Sequence, residues 1–140
     1  MIRLAKESDL TAVAAIYEAI LDQEDTTGNH YTGWQRGAYP TVGTARSIFE
    51  AGTLYVGVDE DGTVWGSMNL NGNQLPEYKN GNWASPASDT QVAVIHTLTI
   101  DPARAGQGLA RKMVAFAEDT ARSHGKTVLR LDTGTDNAPA

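Results

Sequence analysis

Residues 98–111 read LTIDPARAGQGLAR, and the fold is inferred from this stretch. The β-branched and apolar residues that lead into it predict a strand, which ends at Asp101-Pro102 because proline cannot donate a hydrogen bond to a β-ladder. Gly106 and Gly108 follow, and from Leu109 onwards apolar residues recur with helical spacing. A strand, a glycine-containing turn and a helix are therefore predicted in direct succession.

The remaining elements are predicted from hydrophobic periodicity and from turn residues. Strands are expected at residues 2–4, 53–58, 64–70, 91–100 and 128–131, and helices after 8–9, after 40–41 and from 109 to 124–125. Ser8 and Asp9 are expected to cap the first helix with their side-chain oxygens, and Asp61-Gly62 predicts a hairpin turn. The order βα(α)βββαβ predicts an α/β (α+β) fold with a mixed sheet flanked by helices. The last two strands should be parallel, with a right-handed crossover.

Composition narrows the classes of function. The chain has 140 residues, 41% hydrophobic and 20% charged, so we expect a single domain over residues 1–140. A formal net charge of -6 argues against broad electrostatic binding to nucleic acid or to an anionic membrane. Without cysteine there are no disulfides, thiolate metal sites or cysteine nucleophile, and we expect no metal centre. Neither a secretory signal nor a spanning apolar stretch is found, so we expect a cytoplasmic protein.

The turn before the predicted helix has the features of a phosphate site. Helix N-termini carry unpaired N–H groups and partial positive charge, and small residues such as Gly106 and Gly108 let an anion approach them. Arg104 and Arg111 bracket the turn and can add charge. No Walker loop is present, and the third glycine of a dinucleotide fingerprint is replaced by Arg111. The alternative interpretation is that the small residues only let the helix and strand pack closely.

This segment resembles motif A of the GNAT family of acetyl-CoA-dependent N-acetyltransferases. The family pattern, Gln/Arg-x-x-Gly-x-Gly/Ala, is matched at Gly108 and Ala110, and it is not matched at Ala105. The predicted order of elements also resembles that of the family from Ile2 onwards. The resemblance implies a GNAT-like sheet, acetyl-CoA as the cofactor, and direct transfer of the acetyl group to an amine held beside the thioester.

The resemblance also implies positions for the cofactor. Backbone groups of Leu98, Thr99 and Ile100 are expected to contact the pantetheine arm, in a gap between two strands. The pyrophosphate is expected at the predicted loop, which consists of Arg104, Ala105, Gly106, Gln107, Gly108, Leu109, Ala110 and Arg111. Asn137, past the last strand, matches an asparagine that often contacts the cofactor in this family.

An ammonium acceptor must lose a proton before it attacks, and His96 on the motif A strand is the candidate base. The alternative is that His96 is a half-buried strand residue paired with a backbone group. Tyr31, Trp34 and Tyr39 lie in a segment that the family uses as a wall facing the acceptor. They would select an apolar or cationic amine of a small molecule or peptide, or else they cap the core.

In the family, the segment after residues 133–140 continues into a helix with a tyrosine that protonates the departing thiolate. No tyrosine follows Tyr78 here, so we expect a domain that is C-terminally incomplete. An uncovered strand at residues 128–131 could then form a homodimer. Two alternatives stay open: a non-catalytic acyl-CoA-binding module, and a structural domain that binds no CoA.

Overall fold

A computed structural model describes residues 1–28, 34, 35, 37, 39–71, 92–126 and 128–131. The elements are β1 (Ile2–Leu4), α1 (Leu10–Thr27), α2 (Val42–Glu50), β2 (Leu54–Val58), β3 (Val64–Asn71), β4 (Val92–Ile100), α3 (Leu109–Ser123) and β5 (Val128–Leu131). Short 3-10 turns at Glu7–Asp9 and Pro102–Arg104 precede α1 and α3. The predicted order of strands and helices is confirmed.

The five strands form one mixed sheet in the order β1-β2-β3-β4-β5. The first four strands pair antiparallel, whereas β4 and β5, joined through α3, pair parallel. The mixed α/β fold inferred from the sequence is therefore confirmed. In the ranges that the structure describes, no helix combines the length and the apolar character needed to cross a membrane.

Local sequence explains the connections. The β2–β3 hairpin closes where the Asp59 N–H donates to the Thr63 carbonyl at 2.9 Å, and Gly62 takes a φ of +89° that favours glycine. α2 begins with a capping box in which the Thr41 hydroxyl accepts from the Thr44 N–H. Both features follow from the turn and cap residues seen in the sequence.

The cap expected for α1 is wrong. Asp9 occupies the N-cap position, but its side chain makes no cap hydrogen bond to the helix. Its carboxylate instead accepts from the Lys6 N–H at 2.7 Å and from Arg3 Nη1 at 2.8 Å. The hydrogen bond from Arg3 is the main reason why the pKa of Asp9 lies below its ordinary value.

Two apolar clusters cover the two faces of the sheet. One cluster packs α1 and α2 onto β2 and contains Leu10, Val13, Ile16, Tyr17, Ala45, Ile48, Leu54, Val56, Val58 and Val64. The other packs α3 onto β3 and β4 and contains Trp65, Met68, Leu70, Ala93, Ile95, Leu109, Met113, Ala117 and Ala121. In the C-terminal half of β4, Leu98 and Ile100 pack against the second cluster, which helps to fix the position of the loop that follows.

Candidate active site

β4 and β5 separate partway along β4. Their pairing runs from Val92–Val128 to Ile95–Leu131, and β4 then continues to Ile100 while paired with β3 on its other side. Within the described part of the chain, no strand pairs with residues 96–100 on the β5 side. Among the described residues, the backbone edge of this half of β4 is therefore left unpaired.

A β-bulge lies where the two strands separate. Asn69 pairs with His96 and Ser67 pairs with Thr99, so Thr97 and Leu98 together oppose one residue of β3. Thr97 has a φ of +50°, a left-handed value that non-glycine residues seldom adopt. Bulges reorient the chain locally and are frequent beside active sites.

The register assigns side chains near the bulge to the two faces. Residues opposed in an antiparallel pair share a face, so His96 lies on the face of Asn69. Thr99 and Ser67 share that face too, and their hydroxyls are hydrogen-bonded at 2.8 Å. Leu98 and Ile100 pack against the α3 cluster instead, so only their backbone groups can serve a polar ligand.

Two of the three aromatic residues expected at the acceptor wall lie beside the bulge. The Tyr39 hydroxyl is hydrogen-bonded to the Thr97 hydroxyl. The Trp34 ring packs edge-on against Tyr39 and against Tyr17 of α1, with ring centroids 6.2 and 6.4 Å away. Tyr39 is 43% exposed, so it is open to a molecule that approaches the bulge. Tyr31 lies outside the described residues.

Tyr17 carries a buried hydroxyl. The residue is 1% exposed, and its hydroxyl has no hydrogen-bond partner among the described residues. Burial raises the pKa of Tyr17, and the neighbouring Tyr39 adds to the rise, whereas Ser67 opposes it. The phenol therefore stays protonated, and its hydroxyl lies near Ser67 but makes no hydrogen bond of good geometry with any described residue.

Tyr17→Phe removes that hydroxyl and keeps the ring. Because an unsatisfied buried polar group costs about 1–3 kcal/mol, we expect the free energy of unfolding to rise by about 1 kcal/mol. Urea denaturation measures this free energy. Tyr55→Phe, which removes a hydroxyl from a partly exposed tyrosine, serves as the control. A loss of stability in Tyr17→Phe alone would show that the hydroxyl has a partner.

The loop after β4 is held at its start and is open at its end. The Asp101 N–H donates to the Trp65 carbonyl at 2.8 Å, and the Asp101 carboxylate caps the Ala103 N–H at 3.0 Å. Gly108 then occupies the N-cap position of α3 with a φ of +73°, and no side chain caps the helix there. The first N–H groups of α3 therefore lack the cap that α2 has, and an anion would satisfy them.

A cavity of about 380 Å³ lies over this loop. Ile20 and Gln23 of α1 form one wall, and the segment from Ile100 to Arg111 forms the other. Every residue predicted for the pyrophosphate loop lines the cavity except Gln107. Arg111 is exposed and forms no ion pair with any other described residue, so its charge is available at the cavity.

Arg104, which is predicted to bind the cofactor, has an acidic partner in the structure. Its guanidinium forms two hydrogen bonds with the Asp59 carboxylate, at 2.7 and 3.1 Å, and Nε donates to Gln107 Oε1 at 3.2 Å. The hydrogen bond from Arg104 is the main reason why the pKa of Asp59 is lowered, so the carboxylate is charged at neutral pH. Arg104 lines the cavity, but its positive charge is already matched.

Sequence reasoning missed three residues near this site: Tyr17, Asp59 and Thr97. Tyr17 fits the apolar stripe of α1, and a threonine in a strand gives no sign of a bulge. Asp59 stands beside the Asp61-Gly62 turn and has no feature that sets it apart from a turn residue. Asn137, which was expected to contact the cofactor, lies outside the described residues. In the described ranges, no group of three or more His, Cys, Asp or Glu residues is arranged to hold a metal ion.

Solved structures with the same fold include several acetyltransferases. A structure from Staphylococcus aureus described as an acetyltransferase is 23% identical, with a TM-score of 0.73 over 100% of this chain and 84% of that chain. A structure described as a phosphinothricin N-acetyltransferase is 24% identical, with a TM-score of 0.67 over 99% of this chain and 75% of that chain. One from Salmonella typhimurium, described as an acetyltransferase with its cofactor acetyl-CoA, is 24% identical, with a TM-score of 0.66 over 99% of this chain and 72% of that chain.

At these identities the solved structures establish the fold alone. A search of curated protein sequences gives no significant match. The profile of the acetyltransferase (GNAT) family, however, matches residues 13–140, which is most of the sequence. The chain therefore belongs to the acetyltransferase (GNAT) family.

Proposed function

We propose that this acetyltransferase transfers the acetyl group of acetyl-CoA to the amine of a small molecule or peptide, at the point where β4 and β5 separate. Acetyl-CoA is the cosubstrate, in keeping with the family. The observation that carries the proposal is the uncapped N-terminus of α3 directly after the half of β4 that leaves β5. A pyrophosphate fits this end of the helix, because anions satisfy unpaired N–H groups and interact favourably with the helix dipole.

Two sets of residues would hold the cosubstrate. Gly106, Gly108 and the first turn of α3 face the cavity and would bind the phosphates, with Arg111 as the available cation. Backbone groups of residues 98–100 would pair with the pantetheine amides along the edge of β4 that β5 leaves unpaired. This arrangement would place the reacting end of the molecule near the bulge at Thr97.

Bound acetyl-CoA would supply an acetyl thioester: the acceptor nitrogen would attack its carbonyl carbon, and the C–S bond would break as the amide forms, so that CoA leaves as a thiolate that takes a proton from solvent. His96 would accept the proton that the amine must lose, because it lies next to the bulge, on the face that also carries Ser67 and Thr99. Trp34 and Tyr39 would bind the body of the acceptor through their rings. The chain thus supplies orientation and a proton acceptor.

Release of free CoA thiol with a panel of amines tests the proposed reaction. The panel should contain small primary amines and peptides with a free α-amine or lysine side chain. We expect thiol release that requires both acetyl-CoA and an amine, with an acetylated product detected by mass spectrometry. Binding of acetyl-CoA without turnover on any amine would contradict the proposed reaction and favour a non-catalytic acyl-CoA-binding module.

Gly108→Ala and Gly125→Ala form a matched pair at the two ends of α3. Their φ values are +73° and +74°, and a Cβ at either glycine meets no atom within 4 Å. Both variants therefore suffer the same backbone strain, whereas only Gly108 lies at the proposed phosphate site. We expect the Kd for acetyl-CoA, measured by calorimetry, to rise about tenfold, or 1.4 kcal/mol, in Gly108→Ala alone. Equal effects of the two substitutions would contradict the placement of the phosphates.

A further inference from the structure

A bidentate ion pair joins the β2–β3 hairpin to the turn before α3. Arg104 Nη1 and Nη2 donate to the two oxygens of Asp59, across a separation of 45 residues in sequence. The two side chains are 29% and 36% exposed. By contrast, the pair of Arg122 and Asp119 is a single contact within one helix, with both side chains more than 70% exposed. Planar two-bond pairing fixes an orientation that a single contact does not fix.

The pair reaches the pyrophosphate loop through one further hydrogen bond. Arg104 Nε donates to the side chain of Gln107, and Gln107 stands between Gly106 and Gly108. Both glycines have positive φ values, and no protein atom lies within 4 Å of where their Cβ atoms would be. No side chain therefore packs against these two glycines at their Cβ positions, and glycine allows the turn many conformations.

We propose that Asp59 is a positioning residue for the pyrophosphate loop, acting through Arg104 to hold Gln107 and keep the N–H groups of α3 directed into the cavity. This inference rests on the proposed function, since acetyl-CoA is the ligand of the loop. Holding the loop in its binding conformation reduces the conformational entropy that the ligand would otherwise have to remove. Asp59 does not line the cavity over the loop; it contacts the loop through Arg104 and lines a different cleft.

The sign of one substitution distinguishes positioning from direct charge. If Arg104 were a phosphate ligand restrained by Asp59, Asp59→Asn would free its positive charge and strengthen acetyl-CoA binding. If Asp59 positions the loop, the same substitution weakens binding, although it makes the protein less negative. We expect the second result, with a Kd about tenfold higher for acetyl-CoA.

Glu60→Gln is the matched control, because it makes the same change in charge at the next residue, which forms no ion pair with the described residues. Calorimetric titration with acetyl-CoA should give the wild-type Kd for Glu60→Gln. The double variant Asp59→Asn/Arg104→Ala should bind acetyl-CoA no more weakly than Arg104→Ala alone. Each substitution breaks the same connection between Asp59 and the loop, so the second adds no further loss. In turnover, Asp59→Asn should raise KM for acetyl-CoA and leave kcat at saturation unchanged.

Equal or tighter binding by Asp59→Asn overturns the positioning role, and so does an equal loss in Glu60→Gln. Additive losses in the double variant overturn it as well, since they would mean that the two side chains act separately. Failure of the wild-type chain to bind acetyl-CoA overturns the proposed function instead. If the wild-type chain binds acetyl-CoA and Asp59→Asn binds it with the same Kd, only the positioning role is overturned. The two failures are therefore distinguishable.

Discussion

His96→Ala is expected to lower kcat/KM by about 10²–10⁴ and to leave the Kd for acetyl-CoA nearly unchanged. This expectation rests on the position of His96 in β4. It is the first residue beyond the last pair with β5, and it directly precedes the bulge at Thr97. Loss of a proton acceptor there would slow the chemical step. It would leave intact the loop that binds the phosphates.

His124→Ala is the control for this substitution. His124 is exposed at the C-terminal end of α3, the end opposite the predicted phosphate site, so its removal should leave kcat/KM unchanged. Steady-state measurement of thiol release with the best amine of the panel gives kcat/KM for both variants. Full turnover by His96→Ala would identify His96 as a strand residue without a part in proton transfer.

Gly66→Ala is expected to reduce the free energy of unfolding by about 3 kcal/mol, the upper part of the range for overpacked cores. A Cβ at Gly66 would lie 2.7 Å from the Thr99 carbonyl oxygen and 3.0 Å from Ile100 Cδ1. The nearer atom is backbone in a paired strand, so it cannot rotate away as a side chain could. β3 and β4 would have to move apart next to the candidate site.

Gly43→Ala is the matched control for stability. Gly43 lies in the first turn of α2, and the nearest atom to its Cβ would be the Thr41 hydroxyl at 3.4 Å, an ordinary contact. Alanine is a better helix former than glycine, so this variant should be neutral or more stable by up to about 1 kcal/mol. Urea denaturation gives the free energy of unfolding of both variants. An unchanged value for Gly66→Ala would show that β3 and β4 pack less closely than described.

The order of elements could be predicted because it depends on local signals. The 3.6-residue apolar period predicted α1 and α3, a helix was expected after Pro40-Thr41, and Asp61-Gly62 predicted the β2–β3 hairpin. The glycine turn after β4 likewise lies within one short stretch of sequence. Such features depend on residues a few positions apart, so a single sequence contains them.

Features that depend on distant residues could not be predicted in this way. The partner of Arg104 is Asp59, on another hairpin, and nothing in the sequence around either residue indicates the pair. The bulge at Thr97 depends on the register between β3 and β4, which is set by the whole sheet. The cap expected from Asp9 failed for a related reason, since Arg3 on β1 competes for its carboxylate.

Thermal unfolding with acetyl-CoA, ATP and NAD, for the wild-type chain and for Gly108→Asp, is the most direct test of acetyl-CoA binding at the start of α3. Acetyl-CoA at 100 times its Kd should add about 2.7 kcal/mol to the stability of the wild-type chain. ATP and NAD should add less. Gly108→Asp, which places a side chain and a negative charge at the phosphate site, should abolish the gain. Stabilisation by ATP or NAD without stabilisation by acetyl-CoA would contradict the assignment of the cosubstrate.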